Sequence, residues 1–160
     1  MTPRILVSGS RGFLGRHLVP CLRHRYGGGS IITADHDDYD LTVQSDVNRM
    51  LTVAKPDIFI HLAAYVGGIG ANQENPGKFM YENLIMGTNL IHEAMERRVS
   101  KFILLGTVCA YPKYSPVPFK EEDLWNGYPE ETNAPYGIAK KSLMKLVEVY
   151  HEQYLSLIHI

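Results

Sequence analysis

Gly9-Ser10-Arg11-Gly12-Phe13-Leu14-Gly15 decides how this chain is read, because its glycines recur as G-x-x-G-x-x-G. The aliphatic run Ile5-Leu6-Val7 leads into it, and residues 12–25 follow with apolar side chains at Phe13, Leu14, Leu18, Val19 and Leu22. The first pattern predicts a buried strand ending at Gly9. The second, at helical spacing, predicts an amphipathic helix. Glycines between two such elements permit a tight turn and a close approach of backbone to ligand, and the helix N-terminus favours a pyrophosphate. The stretch therefore predicts a dinucleotide-binding turn formed by Gly9, Arg11, Gly12, Phe13, Leu14 and Gly15.

Outward from this turn, Gly27-Gly28-Gly29 stops the first helix, and residues 30–34 (SIITA) read as a second strand. Val43, Val47, Leu51 and Ala54 give residues 42–54 a helical face that Pro56 breaks. Residues 57–64 (DIFIHLAA) then read as a buried strand with little alternation. Residues 76–98 form a long helical pattern, with Phe79, Leu84, Leu90, Ile91, Ala94 and Met95 on or near one face, and 101–106 (KFILLG) form a fourth strand. From 112 to 135 periodicity vanishes and five of the nine prolines fall, a length of irregular chain that is usually functional. A final helix over 136–154 turns Leu143, Leu146, Val147 and Tyr150 to the core. Strands alternating with helices across short joints make βαβ units, hence an α/β fold with a Rossmann-type, doubly wound parallel sheet. The alternation excludes helical bundles and β-sandwiches.

The 160 residues carry 16 Lys+Arg against 17 Asp+Glu, a net charge of −1, which argues against nucleic acid or an anionic membrane as the main partner. With 45% hydrophobic residues the chain has enough apolar side chain for a packed core, and its length fits one domain. No apolar run approaches a bilayer-spanning length. Met1-Thr2-Pro3-Arg4 leads straight into the first strand, so no signal peptide is expected, and two cysteines, Cys21 and Cys109, suit a reducing compartment. The expectation is a soluble, cytoplasmic α/β domain. Seven histidines form no H-x-x-x-H or Cys/His cluster, so no metal is expected.

Two further features bear on chemistry. At the adenosine ribose, Asp35 lies at the end of the second strand, where an acid favours a free 2′-hydroxyl and NAD. Arg11 and His36 would instead neutralise a 2′-phosphate, and the residues leave NAD and NADP evenly matched. Tyr136 and Lys140 are four residues apart and share one helix face. A free tyrosine has a pKa near 10, and an ammonium one turn away together with a positively charged oxidised nicotinamide is expected to lower it. Thr107, just past the fourth strand, would enter from the carboxyl end of the sheet and hold a substrate oxygen.

The ordered set of the glycine turn, Asp40-Leu41, His61-Leu62-Ala63-Ala64, Thr107 and Tyr136-x-x-x-Lys140 resembles the extended short-chain dehydrogenase/reductase superfamily over essentially the whole chain up to Tyr154. The resemblance implies that Asp40 and Leu41 line the adenine pocket and that Leu62, Ala63 and Ala64 flank the cofactor. It implies a catalytic triad of Thr107, Tyr136 and Lys140, with Tyr136 the proton donor and Lys140 also binding the nicotinamide ribose. Residues 64–72 (AYVGGIGAN) and 106–113 (GTVCAYPK) are similar to the A-x-V-G-G-I-x-A-N and G-S-S-C-x-Y-P-K segments of the GDP-L-fucose synthase branch. That branch epimerises GDP-4-keto-6-deoxy-mannose at C3 and C5 and then reduces the 4-keto group, which implies a nucleotide-sugar substrate and NADP(H).

Cys109 is implied as the acid/base at the sugar, a role open to a thiol of pKa near 8.5 after a modest shift. Sugar-nucleotide dehydratases carry an Asp-Glu pair after the catalytic threonine; Val108-Cys109 here argues against dehydration. GDP-mannose 3,5-epimerase shares the cysteine and is the alternative. A non-catalytic dinucleotide sensor is the alternative of another class, disfavoured because a sensor needs no Thr107, Tyr136 and Lys140. Asn133 is implied to touch substrate, whereas Asn83 is expected to cap or pack within its helix region. Helices 76–98 and 136–154 are the pair through which extended members dimerise, so a homodimer is expected.

Members of the superfamily are much longer. Residues 1–154 are thus expected to be an incomplete NAD(P)-binding domain, lacking the last strands, a downstream histidine acid/base and the sugar-nucleotide domain, and inactive alone. Leu155-Ser156-Leu157-Ile158-His159-Ile160 coincides with one frame of a transposase-end sequencing adapter, so residues 155–160 are expected to be non-native.

Overall fold

In the computed structural model, residues 2–154 are described together with the backbone of 158–159. Strands β1 (Ile5–Ser8), β2 (Ile31–Ala34), β3 (Ile58–His61) and β4 (Lys101–Leu104) alternate with helices α1 (Phe13–Tyr26), α2 (Gln44–Ala54), α3 (Ile69–Glu74), α4 (Pro76–Glu96) and α5 (Ala134–Tyr154). A two-residue β5 (Ile158–His159) follows. These strands pair in parallel in the order β2-β1-β3-β4-β5. The chain steps from β1 to β2 on one side and returns to place β3 on the other. Open α/β sheets bind ligands at the carboxyl ends of the strands flanking such a reversal.

The strands are short apolar runs because both faces of the sheet are covered. Leu6, Phe59, Phe102 and Leu104 point to one face, where Val47, Met50 and Leu51 of α2, Leu90 and Ile91 of α4, and Leu143 and Val147 of α5 complete the larger core. Ile5, Val7, Ile31 and Ile60 point to the other face and meet Leu18, Val19 and Leu22 of α1. Helix ends follow local chemistry. Gly27, at φ +85°, stops α1, while Lys55 takes a left-handed cap just before Pro56 ends α2, and Pro76 opens α4. Helices α4 and α5 pack closely because a Cβ on Gly87 would lie 2.2 Å from Leu143 Cδ1. Buried Glu93 ties α2 to α4 by accepting from Gln44 Nε2 at 2.9 Å and pairing with Arg97.

The α/β, Rossmann-type expectation is met, with differences at the edges. Strand β3 stops at His61 rather than Ala64, because beyond it the Tyr65 backbone is bonded by a side chain and not by a neighbouring strand. Asn83 Oδ1 accepts from Tyr65 N–H at 3.1 Å, and Asn83 Nδ2 donates to Tyr65 C=O at 2.9 Å and to Phe79 C=O at 2.7 Å. Asn83 thus clamps the segment after β3 in addition to packing in its own helix. Helix α3 was not legible as a separate element, being a single short stretch between Gly68 and Asn75. The proline-rich stretch holds one short 3-10 turn, Glu121–Trp125, and an antiparallel bridge between Pro112 and Pro129.

Of the expected non-native tail, residues 155–157 and 160 lie outside the described residues; Ile158 and His159 pair with Phe102 and Ile103. Among the described residues no helix is long and apolar enough to cross a membrane, and no group of three His, Cys, Asp or Glu side chains is placed to hold a metal.

Candidate active site

The carboxyl ends of β1, β2 and β3 open on a cavity of 840 Å³. Gly9, Arg11, Gly12, Phe13, Leu14, Gly15, Asp35, His36, Asp40, Leu41, Leu62, Ala63 and Ala64 all line it, whereas Tyr136 and Lys140, also expected at the cofactor, do not. The glycines are needed by packing. Gly9 has φ +76°, and a Cβ there would lie 2.6 Å from Ala63 N; a Cβ on Gly15 would lie 2.4 Å from the Gly9 carbonyl oxygen. Gly12, Phe13, Leu14 and Gly15, at the N-terminus of α1, thus line the groove, an arrangement that fits a dinucleotide pyrophosphate.

At the β2 end, the Ser10 hydroxyl donates to Asp35 Oδ2 at 2.6 Å and Arg11 N–H donates to Oδ1 at 3.3 Å. Arg11 Nε lies 3.2 Å from Asp35, and its Nη1 reaches Asp37 at 2.7 Å. Burial raises the Asp35 carboxyl, but Ser10 and Arg11 reverse this and leave it below the ordinary carboxylate range. Asp40 accepts from the backbone N–H and hydroxyl of Thr42, at 2.9 and 2.7 Å. Its carboxylate is thereby committed to its own loop. Asp37, Tyr65, Lys78, Glu82 and Met86 also line the cavity and were not singled out from the sequence, although 78, 82 and 86 repeat every fourth residue on α4.

Thr107, Cys109, Tyr136 and Lys140 do not line that cavity. Thr107, Cys109 and Tyr136 gather at the end of β4, where Thr107 Oγ1 accepts from the Cys109 N–H at 3.2 Å and caps the turn Val108–Ala110. Tyr136 sits against this turn, near enough to Thr107 and Cys109 for both to act on its phenol. The approach depends on Gly137, whose Cβ would lie 2.1 Å from the Cys109 carbonyl oxygen. Asn133, just before α5, lies 3.4 Å from Glu130 Oε2. On the sheet side, buried His61 places Nδ1 2.8 Å from Ser8 Oγ and carries an electrostatic contact with Lys140.

A family model described as the NAD dependent epimerase/dehydratase family matches residues 5–160. The chain belongs to that epimerase/dehydratase family. It is 41% identical over 151 residues to the GDP-L-fucose synthase of Sinorhizobium fredii, covering 94% of this chain and 48% of that protein. It is 33% identical over 150 residues to the GDP-L-colitose synthase of Yersinia pseudotuberculosis, with 94% and 48% covered. A solved GDP-mannoheptose C4 reductase from Campylobacter jejuni with NADP bound superposes with a TM-score of 0.92 at 29% identity, covering 98% of this chain and 49% of that one. The chain spans about half the length of the curated relatives it matches.

The charge states at this site follow mainly from burial. Burial pushes the Tyr136 phenol above its ordinary value, Cys109 adds to the rise, and only the bond with Thr107 works against it. Lys140 is 3% exposed, and burial pushes its ammonium down to about 8. Its charge acts on His61, whose pKa falls to about 3, through burial first and Lys140 second. The phenol is therefore protonated at neutral pH. A hydroxyl, a thiol and a protonated phenol set together can hold a carbonyl oxygen, protonate it, and exchange a proton on the adjacent carbon.

Proposed function

We propose that this family member acts in a GDP-sugar epimerase/reductase that inverts C3 and C5 of GDP-4-keto-6-deoxy-mannose and reduces the 4-keto group with NADPH. The observation that carries the reading is the close packing of α5 on the turn Val108–Ala110, so that Thr107, Cys109 and Tyr136 stand together. There a Cβ on Gly137 would lie 2.1 Å from the Cys109 carbonyl oxygen, and Thr107 Oγ1 accepts from the Cys109 backbone N–H. Reduction of a ketone needs a proton donor, and a phenol whose pKa is raised by burial is in the protonated form for that task. Thr107 holds the ketone oxygen, and Cys109 moves the proton at the carbon next to it. Lys140, buried under the site, holds the nicotinamide ribose. The 840 Å³ groove, with its glycine turn, takes the adenosine and pyrophosphate. NADPH, when bound, supplies the hydride to C4.

GDP-sugar chemistry in the named relatives and NADP in the heptose reductase support the substrate class and the cofactor. The same reading carries a homodimer through α4 and α5, tested by light scattering. The decisive assay uses the full-length protein. NADPH oxidation is expected only when GDP-4-keto-6-deoxy-mannose is added, and none with GDP-mannose. Cys109→Ser is expected to slow solvent-deuterium exchange into C3 and C5 by on the order of 10²-fold while NADPH still binds. Unchanged exchange in that variant would remove Cys109 from the chemistry, and NADPH binding without any turnover would favour the sensor.

A further inference from the structure

The ribose end of the groove carries an arrangement that goes beyond the cofactor assignment, on which it rests. Arg11 is the cation there, and two carboxylates hold it: Asp35 on Nε at 3.2 Å and Asp37 on Nη1 at 2.7 Å. The two acids are not equivalent. Asp35 is anchored to the glycine turn by the Ser10 hydroxyl and the Arg11 backbone N–H, and its side chain is only 12% exposed. Asp37 is 72% exposed and is held in the groove by Arg11. Both line the cavity beside His36.

We propose that Asp37 is a specificity-determining residue, a competing anion that a cofactor 2′-phosphate must displace from Arg11, so that the groove accepts both phosphorylated and unphosphorylated dinucleotides. A phosphate that enters takes the Nη1 edge of the guanidinium and leaves Asp37 without its partner, facing a second anion. A 2′-hydroxyl requires no such exchange, because Asp35 is already fixed where it can accept from a ribose diol. The competition lowers affinity for NADPH and leaves affinity for NADH untouched. Since the Asp37–Arg11 pair is exposed, its effect is moderate and sensitive to salt.

The test measures dissociation constants of NADPH and NADH on the full-length protein by nicotinamide fluorescence and calorimetry, without turnover. Asp37→Asn is expected to tighten NADPH binding roughly three- to tenfold at low salt and to leave NADH within about twofold. Added salt is expected to shrink the gain. Arg11→Gln is expected to erase the difference between the two cofactors, with or without Asp37. Equal tightening of both cofactors by Asp37→Asn, or none of NADPH in a protein that binds NADPH, overturns this inference and leaves the proposed reaction standing. Binding of neither cofactor by the wild-type protein overturns both.

Discussion

Gly137→Ala is expected to destabilise the protein by about 3 kcal/mol and to cut turnover of the full-length enzyme by at least about 10²-fold. The added methyl would lie 2.1 Å from the Cys109 carbonyl oxygen and 2.8 Å from its carbonyl carbon, and neither can yield as a flexible side chain would. Relief requires α5 to move off the turn Val108–Ala110, which carries Tyr136 away from Thr107 and Cys109 together. A displacement on the order of 1 Å between reacting groups is enough for such a loss. Gly28→Ala is the control, because no atom lies within 4 Å of a Cβ there. Urea melts and kcat on both variants decide the matter. A Gly137→Ala enzyme as active as Gly28→Ala would mean that the Tyr136 and Cys109 elements need not touch as they do here.

Stability is expected to fall below pH 6.5 because of His61. The unfolded histidine titrates near 6.5, whereas the folded one, buried beside Lys140, titrates at about 3. Below 6.5 the unfolded chain therefore binds a proton that the folded chain refuses. The contribution is fully present above pH 6.5 and is lost as pH falls toward 3, at about 1.4 kcal/mol per pH unit. Between pH 7 and pH 5 that is about 2 kcal/mol from this one side chain. Urea denaturation of wild type and His61→Asn is expected to show the wild-type slope steeper by that amount. Proton NMR of the wild-type imidazole gives an independent check. A His61 ring titrating above pH 5 in the folded protein would show that it is not the closed, neutral group seen against Ser8.

The glycine turn was legible because its constraints are local. Gly9 takes a positive φ and Gly15 meets the backbone of Gly9 and Ser10, both local demands, whereas the contact of Gly9 with Ala63 comes from a segment distant in the chain. The Tyr136–Lys140 spacing was legible for the same reason, since it needs only one helix face. What Lys140 does was not legible. Its spacing put it on the face of Tyr136 but could not show that it is buried or that its charge is felt at His61, on a strand far away in the chain. Asp37 was passed over beside Asp35 because the sequence shows two acids and not which one the turn anchors. Asn83 was placed in its helix and turned out to hold the backbone of Tyr65, a partner that no helical period reveals.

The sequence by itself determined the alternation of strand and helix, the parallel sheet that follows from it, and which chemical groups stand at strand ends. These depend on side-chain period, on glycine and proline, and on neighbours a few residues away. Only the tertiary structure decided the protonation of Tyr136, Lys140 and His61, the pairing of Arg11 with two unequal acids, and the close approach of Gly137 to Cys109. Each of those rests on desolvation or contact between segments distant in the chain, and burial is a property of the packed molecule rather than of any stretch of it.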